Sequence, residues 1–207
     1  MKMQSSHPHS ERGLDPYFTP PEATESLLAI EDLPHSIWEP AAGDGAIVKV
    51  LRHAGFDVFA SDIVKYGNFE CNAIMDYFEF VFTRSHDNVG IITNPPFLRA
   101  VEFAEKALSE VNYVALLLRT NFLESTSRLP FFRSNPPSTV WISSRRLPMM
   151  HRFGWTGPQA PSNTCHAWFI WDYRQGRKSI TVIDWFDWAD YQPNNLSSEL
   201  SASELGL

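Results

Sequence analysis

At 207 residues, with 43% apolar and 14% aromatic side chains, the chain is long enough to bury one sizeable core and short for two. Its formal charge of −7 argues against a generic nucleic-acid coat, no apolar run reaches the length of a membrane helix, and the opening MKMQSSHPHSERG lacks the apolar centre of a signal peptide. Cys71 and Cys165 fit neither a disulfide framework nor a zinc spacing, and the adjacent pair Cys165-His166 has no further ligands; no metal is expected, and a reducing cytoplasm is.

The charge is unevenly spread. From Arg119 to Arg152 there are six arginines (119, 128, 133, 145, 146 and 152) against one acid, Glu124. That segment is +5 and the remainder −12. An acidic body with one basic segment is compatible with a localised phosphate-contacting face.

Residues 1–13 read as a polar, disordered lead-in. In LDPYFTPPEATESLLAI, Thr19 is placed to cap a helix that has Pro20 and Pro21 in its opening turn and Leu27, Leu28 and Ile30 on its buried face. Ser36-Ile37-Trp38 is a short strand leading into Glu39-Pro40-Ala41-Ala42-Gly43-Asp44-Gly45. Glycines at 43 and 45, after a strand and before a helix, let the backbone pass close to a ligand and aim helix N–H groups at it. A dinucleotide fingerprint needs a third glycine, and Ala46-Ile47-Val48 supplies none. Glu39, at the strand end, suits a ligand carrying a positive ammonium. The helix runs on through Leu51 to a stop at Gly55. The strand Asp57–Asp62 follows; its terminal acid suits both hydroxyls of a ribose, or is a solvated strand end.

Asn72–Tyr77 leads into the apolar stretch Phe78–Phe82, where Asp76 reads as a cap before core aromatics. Val89-Gly90-Ile91-Ile92 is a short buried strand. Thr93-Asn94-Pro95-Pro96-Phe97 stops it and fixes a rigid turn at its carboxyl end. An amino nitrogen conjugated to a ring is a poor nucleophile until acceptors grip its two hydrogens. The Asn94 side-chain oxygen and the Pro95 carbonyl are candidate acceptors, and Phe97 a platform for the ring. Alone, the tetrapeptide reads equally well as a strand-ending turn.

Val101, Ala104, Ala107 and Leu108 form a helical stripe, and Tyr113–Leu118 is apolar throughout, a strand buried on both faces that ends at Arg119. A short helix is predicted around Glu124–Phe132, broken by Pro136-Pro137, and a strand over Thr139–Ser143. Arg145–Asn163 is a long irregular loop carrying His151, Trp155, two glycines and three prolines; such loops are functional or disordered. The strands Thr164–Asp172 and Ile180–Trp185 are joined by the turn Arg174-Gln175-Gly176-Arg177. Residues 192–207 read as a mobile polar tail.

The series YFTP, EPAAGDG, NPPF and AWFIWD resembles class I S-adenosylmethionine-dependent amino methyltransferases of the NPPF type, above all adenine-N6 enzymes acting on DNA in their small phage and prophage forms. The resemblance covers about residues 14–185. It implies an α/β, Rossmann-like class I methyltransferase fold, with a seven-stranded mostly parallel sheet of order 3-2-1-4-5-7-6, strand 7 antiparallel, flanked by helices. One domain spans 14–191, with 119–163 as the candidate recognition segment. The implied cofactor is S-adenosyl-L-methionine. The donor site falls to Phe18, Thr19, Pro20, Glu39, Ala41, Gly43, Gly45 and Asn94, with Glu39 at the methionine ammonium, the ribose at Asp62 beside Ile63, and the adenine at Asp76 and Tyr77. Catalysis falls to Asn94, Pro95, Pro96 and Phe97. Arg119, Arg145, Arg146, His151 and Trp155 are the candidate substrate-binding residues. The implied partner is nucleic acid, DNA ahead of RNA, with no membrane. Adenine in RNA, a protein glutamine amide, and a catalytically silent binding module remain as alternatives. The candidate recognition segment is shorter than the recognition domains usual in sequence-specific family enzymes.

Overall fold

The structure is a computed structural model that describes residues 19–80, 88–149 and 164–191. Its eight strands are β1 (Ser36–Glu39), β2 (Asp57–Asp62), β3 (Ala73–Ile74), β4 (Val89–Thr93), β5 (Tyr113–Arg119), β6 (Thr139–Ser143), β7 (His166–Asp172) and β8 (Val182–Phe186). They form one sheet in the order β3-β2-β1-β4-β5-β7-β6-β8. All neighbours are parallel except β7, which runs antiparallel to both β5 and β6.

Helices α1 (Pro21–Ile30) and α2 (Ala46–His53) pack on one face of the sheet, α3 (Ala100–Glu110) and α4 (Leu129–Ser134) on the other. Side chains alternate faces along a strand. Ile37, Ile92, Ala115, Leu117, Trp168 and Ile170 therefore join Leu27, Val48 and Leu51 in one core. Their neighbours Trp38, Ile91, Val114, Leu116, Phe169 and Trp171 join Phe103, Ala104 and Phe131 in the other. This double covering is why β5 and β7 carry apolar residues at nearly every position.

The strand order contains the expected 3-2-1-4-5-7-6 with an antiparallel seventh strand, but the sheet has eight strands rather than seven. The turn at 174–177 does not close a hairpin. Both edges of β7 are already taken, by β5 and β6, so the chain passes β6 and β8 pairs with it in parallel, from Thr139↔Val182 to Ser143↔Phe186. Two other expectations are corrected. Thr19 does not cap α1: Pro20 is the N-cap, without a side-chain cap bond, and the Ala23 N–H reaches the Pro20 carbonyl at 3.1 Å. The helix expected over 124–132 is a 3-10 turn at Thr120–Leu123 followed by α4, whose start is set by Pro130 in its first turn. The tails 1–13 and 192–207 lie outside the described residues, as do Phe18, His151 and Trp155. Among the described residues no helix is long and apolar enough to cross a membrane.

Candidate active site

Parallel pairing delivers the carboxyl ends of β1, β2, β4 and β5 to one edge, side by side. Four chain segments meet there around a small cleft, lined by Thr19, by Ala41, Ala42, Gly43 and Asp44 of the loop after β1, by Ala46 and Ile47 of α2, and by Asn94 after β4. Of the residues expected to hold the donor, the structure thus brings Thr19, Ala41, Gly43 and Asn94 into one place. Asp44, Ala42, Ala46 and Ile47 were not singled out. Asp44 had a legible signal, since a polar residue between two glycines at a strand–helix turn faces whatever the turn holds.

The loop geometry explains the glycines. Gly43 and Gly45 have φ of 56° and 77°, the left-handed region that other residues enter at a cost. At Gly45 a Cβ would stand 2.3 Å from the Phe69 ring, which lies against the loop under Lys49. The loop is tied to β2 on its other side: the Gly43 N–H donates to Asp62 Oδ2 at 2.8 Å and the Ala42 N–H to the Ser61 carbonyl at 3.0 Å. Asp44 Oδ1 accepts from the Ala46 N–H at 3.1 Å, closing the first turn of α2.

Two buried acids flank the cleft. Glu39 is fully buried and its Oε1 accepts from the Ala41 N–H at 3.3 Å. Oε2 is buried without a hydrogen-bond partner. Burial pushes this carboxyl well above the usual range, and the nearby Asp62 charge adds to the rise. The Thr93 hydroxyl faces it and opposes the shift, without the alignment of a full hydrogen bond. Asp62, 6% exposed, is also raised by burial; the N–H groups of Gly43 and Val64 hold it down. Ile63 beside it is an apolar side chain left 49% exposed at the strand end.

The turn after β4 stands opposite the glycine loop. The Asn94 Nδ2 donates to Thr19 Oγ1 at 3.1 Å, joining the turn to the entry of α1. Pro95 is buried, and Pro96 precedes a 3-10 turn at Phe97–Arg99 that feeds α3. The guanidinium of Arg119, at the end of β5, lies 4.2 Å from the centroid of the Phe97 ring, and His166, its partner across β5 and β7, sits 6.0 Å from that ring. Arg119 and Phe97 therefore form one cationic–aromatic platform beside Asn94.

Other expected site residues are placed elsewhere. Tyr77, 3% exposed, packs between Trp38 and Phe103 and donates its hydroxyl to Glu110, so its ring is part of the core on the α3 face. Asp76 Oδ1 accepts from the Phe78 N–H at 2.9 Å, the cap-like contact of the plainer reading. Pro20 is buried as the cap of α1. Arg145 follows the carboxyl end of β6, at the same sheet edge as the turn with β5 and β7 between, and grips Asp187 with Nε and Nη2, each at 2.9 Å from a carboxylate oxygen. Arg146 is exposed next to it, its carbonyl accepting from the Trp188 indole. Among the described residues, no three His, Cys, Asp or Glu side chains converge as a metal site.

No family model matches the sequence, and neither does any curated protein. Solved structures do. A protein of Listeria monocytogenes assigned as a class I S-adenosylmethionine-dependent methyltransferase superposes with a TM-score of 0.56 at 12% identity, covering 93% of this chain and 72% of its own. A protein of Pyrococcus horikoshii assigned as an RNA methyltransferase gives 0.52 at 18% identity, over 77% and 88%. A modification subunit assigned to a type I restriction enzyme of Vibrio vulnificus gives 0.51 at 14%, over 83% and 46%. At these identities the likeness concerns the backbone, and what it establishes is the fold: this chain has the Rossmann-like architecture of class I methyltransferases.

Proposed function

We propose that the protein is an S-adenosylmethionine-dependent methyltransferase acting on an exocyclic amino nitrogen, adenine N6 in nucleic acid, with DNA ahead of RNA. The observation that carries this reading is that the glycine loop and the Asn94 turn line the same cleft. A donor-binding loop has no need of an Asn-Pro-Pro-Phe turn opposite it unless something must be presented to the donor there. DNA is placed ahead of RNA by the order of motifs along the sequence.

The residues present fit the donor. Glu39 offers a buried carboxylate oxygen with no partner in the protein, suited to an ammonium. Asp62 is a buried acceptor at the end of β2 with the exposed Ile63 beside it, suited to a ribose under a flat apolar ring. When bound, S-adenosylmethionine supplies a methyl group on positively charged sulfur. The protein's own task is then positional. Asn94 Oδ1 and the Pro95 carbonyl accept the two N–H groups of the target amine, turning its lone pair out of conjugation. Their dipoles also stabilise the positive charge that grows on nitrogen as the N–C bond forms and the S–C bond breaks. The extra proton leaves to water afterwards, so no protein base acts before attack. The Phe97–Arg119 platform stacks the base. A base in a duplex must be flipped out to reach it.

The test is incubation of the full chain with methyl-labelled S-adenosylmethionine and unmethylated DNA, RNA or a protein extract, followed by analysis of nucleosides and amino acids. Label in N6-methyladenine from DNA is the expected result. Label in RNA alone changes the substrate and keeps the chemistry, label in glutamine replaces the substrate class, and no label in any arm removes the enzyme reading.

A further inference from the structure

We infer that the outer edge of β8 is an association surface for a second copy of this chain, the two β8 strands pairing antiparallel about a two-fold axis. The surface is separate from the cleft, and the inference does not rest on the methylation reading.

The sheet ends differently at its two edges. At one, β3 is only two residues long, which blunts it. At the other, β8 runs for five residues, Val182–Phe186, without proline or lysine and with Asp184 as its single charge. Among the described residues nothing pairs with its outer side. Ile180, Val182, Ile183 and Trp185 are 75, 52, 48 and 60% exposed. Ile183 and Trp185 continue the apolar row of Val140 and Ile142, their partners on β6, along the sheet face that carries α3 and α4. The described chain does not fold back over this row. Phe186 turns into the core, and the 3-10 turn at Trp188–Tyr191 packs against α1 on the opposite face. Four exposed apolar side chains on and beside one short edge strand mark an interaction surface.

The backbone of β8 presents groups to such a partner. The Val182 N–H donates to the Ser138 carbonyl at 3.1 Å, and the Phe186 carbonyl accepts from the Ser144 N–H at 2.9 Å, so even-numbered residues address β6. Ile183 and Trp185 therefore direct their N–H and C=O groups outward. The Trp185 N–H is met there by a side chain, Asp184 Oδ1 at 2.8 Å.

Charge selects both the partner and its direction. Arg177 and Lys178 precede the strand, Asp184 lies within it and Asp187 follows it. In-register parallel pairing would set Lys178 beside Lys178 and Asp184 beside Asp184, which is unfavourable. Antiparallel pairing of two copies brings the basic end of each strand against the acidic end of the other. The register that sets Lys178 across from Asp184 is centred on Thr181, so Thr181 faces Thr181 and Val182 faces Ile180. Its hydrogen-bonded pairs fall on odd-numbered residues, the ones whose groups point outward. Residues 177–181 precede the strand in the single chain and extend it on pairing. Every contact occurs twice about the axis, so assembly closes at two copies. Reversing the strand also reverses the sheet, and the two clefts then open at opposite edges and act separately.

Sedimentation equilibrium of the full chain over a concentration series tests this. The mass should rise from 23.6 kDa to twice that value and no further. Trp185→Lys should raise the dimer Kd by about tenfold or more, since it places a charge in the apolar row, with donor Kd unchanged. Asp184→Lys and Lys178→Asp should each raise it about five- to tenfold, and the double variant should return it to within about threefold of wild type. Exchange of the Ile183 amide proton should slow as the dimer forms. A monomer at every concentration overturns the inference; protection of that amide in the monomer would show a segment of the same chain on the edge instead. Growth past two copies overturns the two-fold pairing. A dimer unmoved by Trp185→Lys places the interface elsewhere, and a double variant no tighter than the single ones overturns the antiparallel register.

Discussion

Glu39 and Asp62 are both carboxyls that burial pushes upward, and they differ in what holds them back. Asp62 has well-aligned support from the Gly43 N–H, whereas Glu39 keeps one oxygen with no partner. The folded chain therefore holds a proton on Glu39 to higher pH than the unfolded chain does. Its contribution to stability is fully present below the unfolded pKa and is lost as pH rises through the raised folded one. Glu39→Gln should accordingly gain in Tm relative to wild type as pH rises above the unfolded carboxyl's value, while weakening donor binding. Melting curves across that range, with donor titration, check both. A bound ammonium pulls the Glu39 pKa back down, so donor binding should release a proton, visible by calorimetry in buffers of different ionisation enthalpy. Asp62→Ala should weaken donor affinity by about 1.5–3 kcal/mol, the cost of losing hydrogen bonds to a charged acceptor. Asn94→Ala separates the functions: transfer should fall by about a hundred- to a thousandfold, with donor affinity nearly unchanged in the same titration.

At the scale of elements, the glycine loop is the part most exposed to single substitutions. Gly45→Ala combines a left-handed φ of 77° with a Cβ placed 2.3 Å from the Phe69 ring. The strain alone is on the order of 1–2 kcal/mol, and Phe69 must also move. Chemical denaturation should show a loss of about 1–3 kcal/mol, where Gly55→Ala, with open space about its Cβ, should lose only the strain. The strands other than β3, and the helices α1 to α3, were legible in the sequence because each carries its own period, bounded by Gly, Pro or a charge; β3, two residues long, has no such signal. Gly43 and Asn94, singled out from their loops, both line the cleft. The site was not legible where tertiary packing decides. Tyr77 has the residue type of a ring cover, yet Trp38, Phe103 and Glu110 draw it into the core. Thr19 reads both as a cap and as a donor-site residue; the structure drops the cap and places it in the cleft beside Asn94. The partner of β8 likewise depends on which strand edges are already filled.

Across the whole molecule, the acidic body and the basic segment meet at the end of β6. Arg145 is engaged there by Asp187 through both carboxylate oxygens, an ion pair on the chain itself that a phosphate has to displace. The basic segment is thus less available than its arginine count suggests. If nucleic acid binds along this edge, Asp187→Asn should tighten binding and steepen the log–log salt slope by about one unit, close to one added phosphate contact on duplex DNA. Arg146→Gln should flatten it by a similar amount. Fluorescence titrations between 50 and 200 mM salt, roughly the range over which such contacts are lost, decide the matter; a slope unmoved by either variant would place the phosphate path elsewhere.

The pairing of β6 with β7 has a consequence of another kind. Ile142 lies opposite Ala167, and the Cys165 carbonyl accepts from the Thr120 N–H at 3.0 Å. The chain that leaves after Ser143 and returns before His166 therefore starts and finishes at adjacent, anchored strands. Closing such a segment is insensitive to its length, each doubling costing only about 0.6 kcal/mol. Leu147 and Met149, just after β6, are buried in the core, so a change of length is tolerated by the sheet only beyond them. A lineage keeping this scaffold could trade one specificity for another there by recombination. On the expectation that His151 and Trp155 contact the substrate, replacing 150–163 with a Gly-Ser run of equal length should weaken nucleic-acid binding more than donor binding. Donor titration and DNA binding on that one variant would read both.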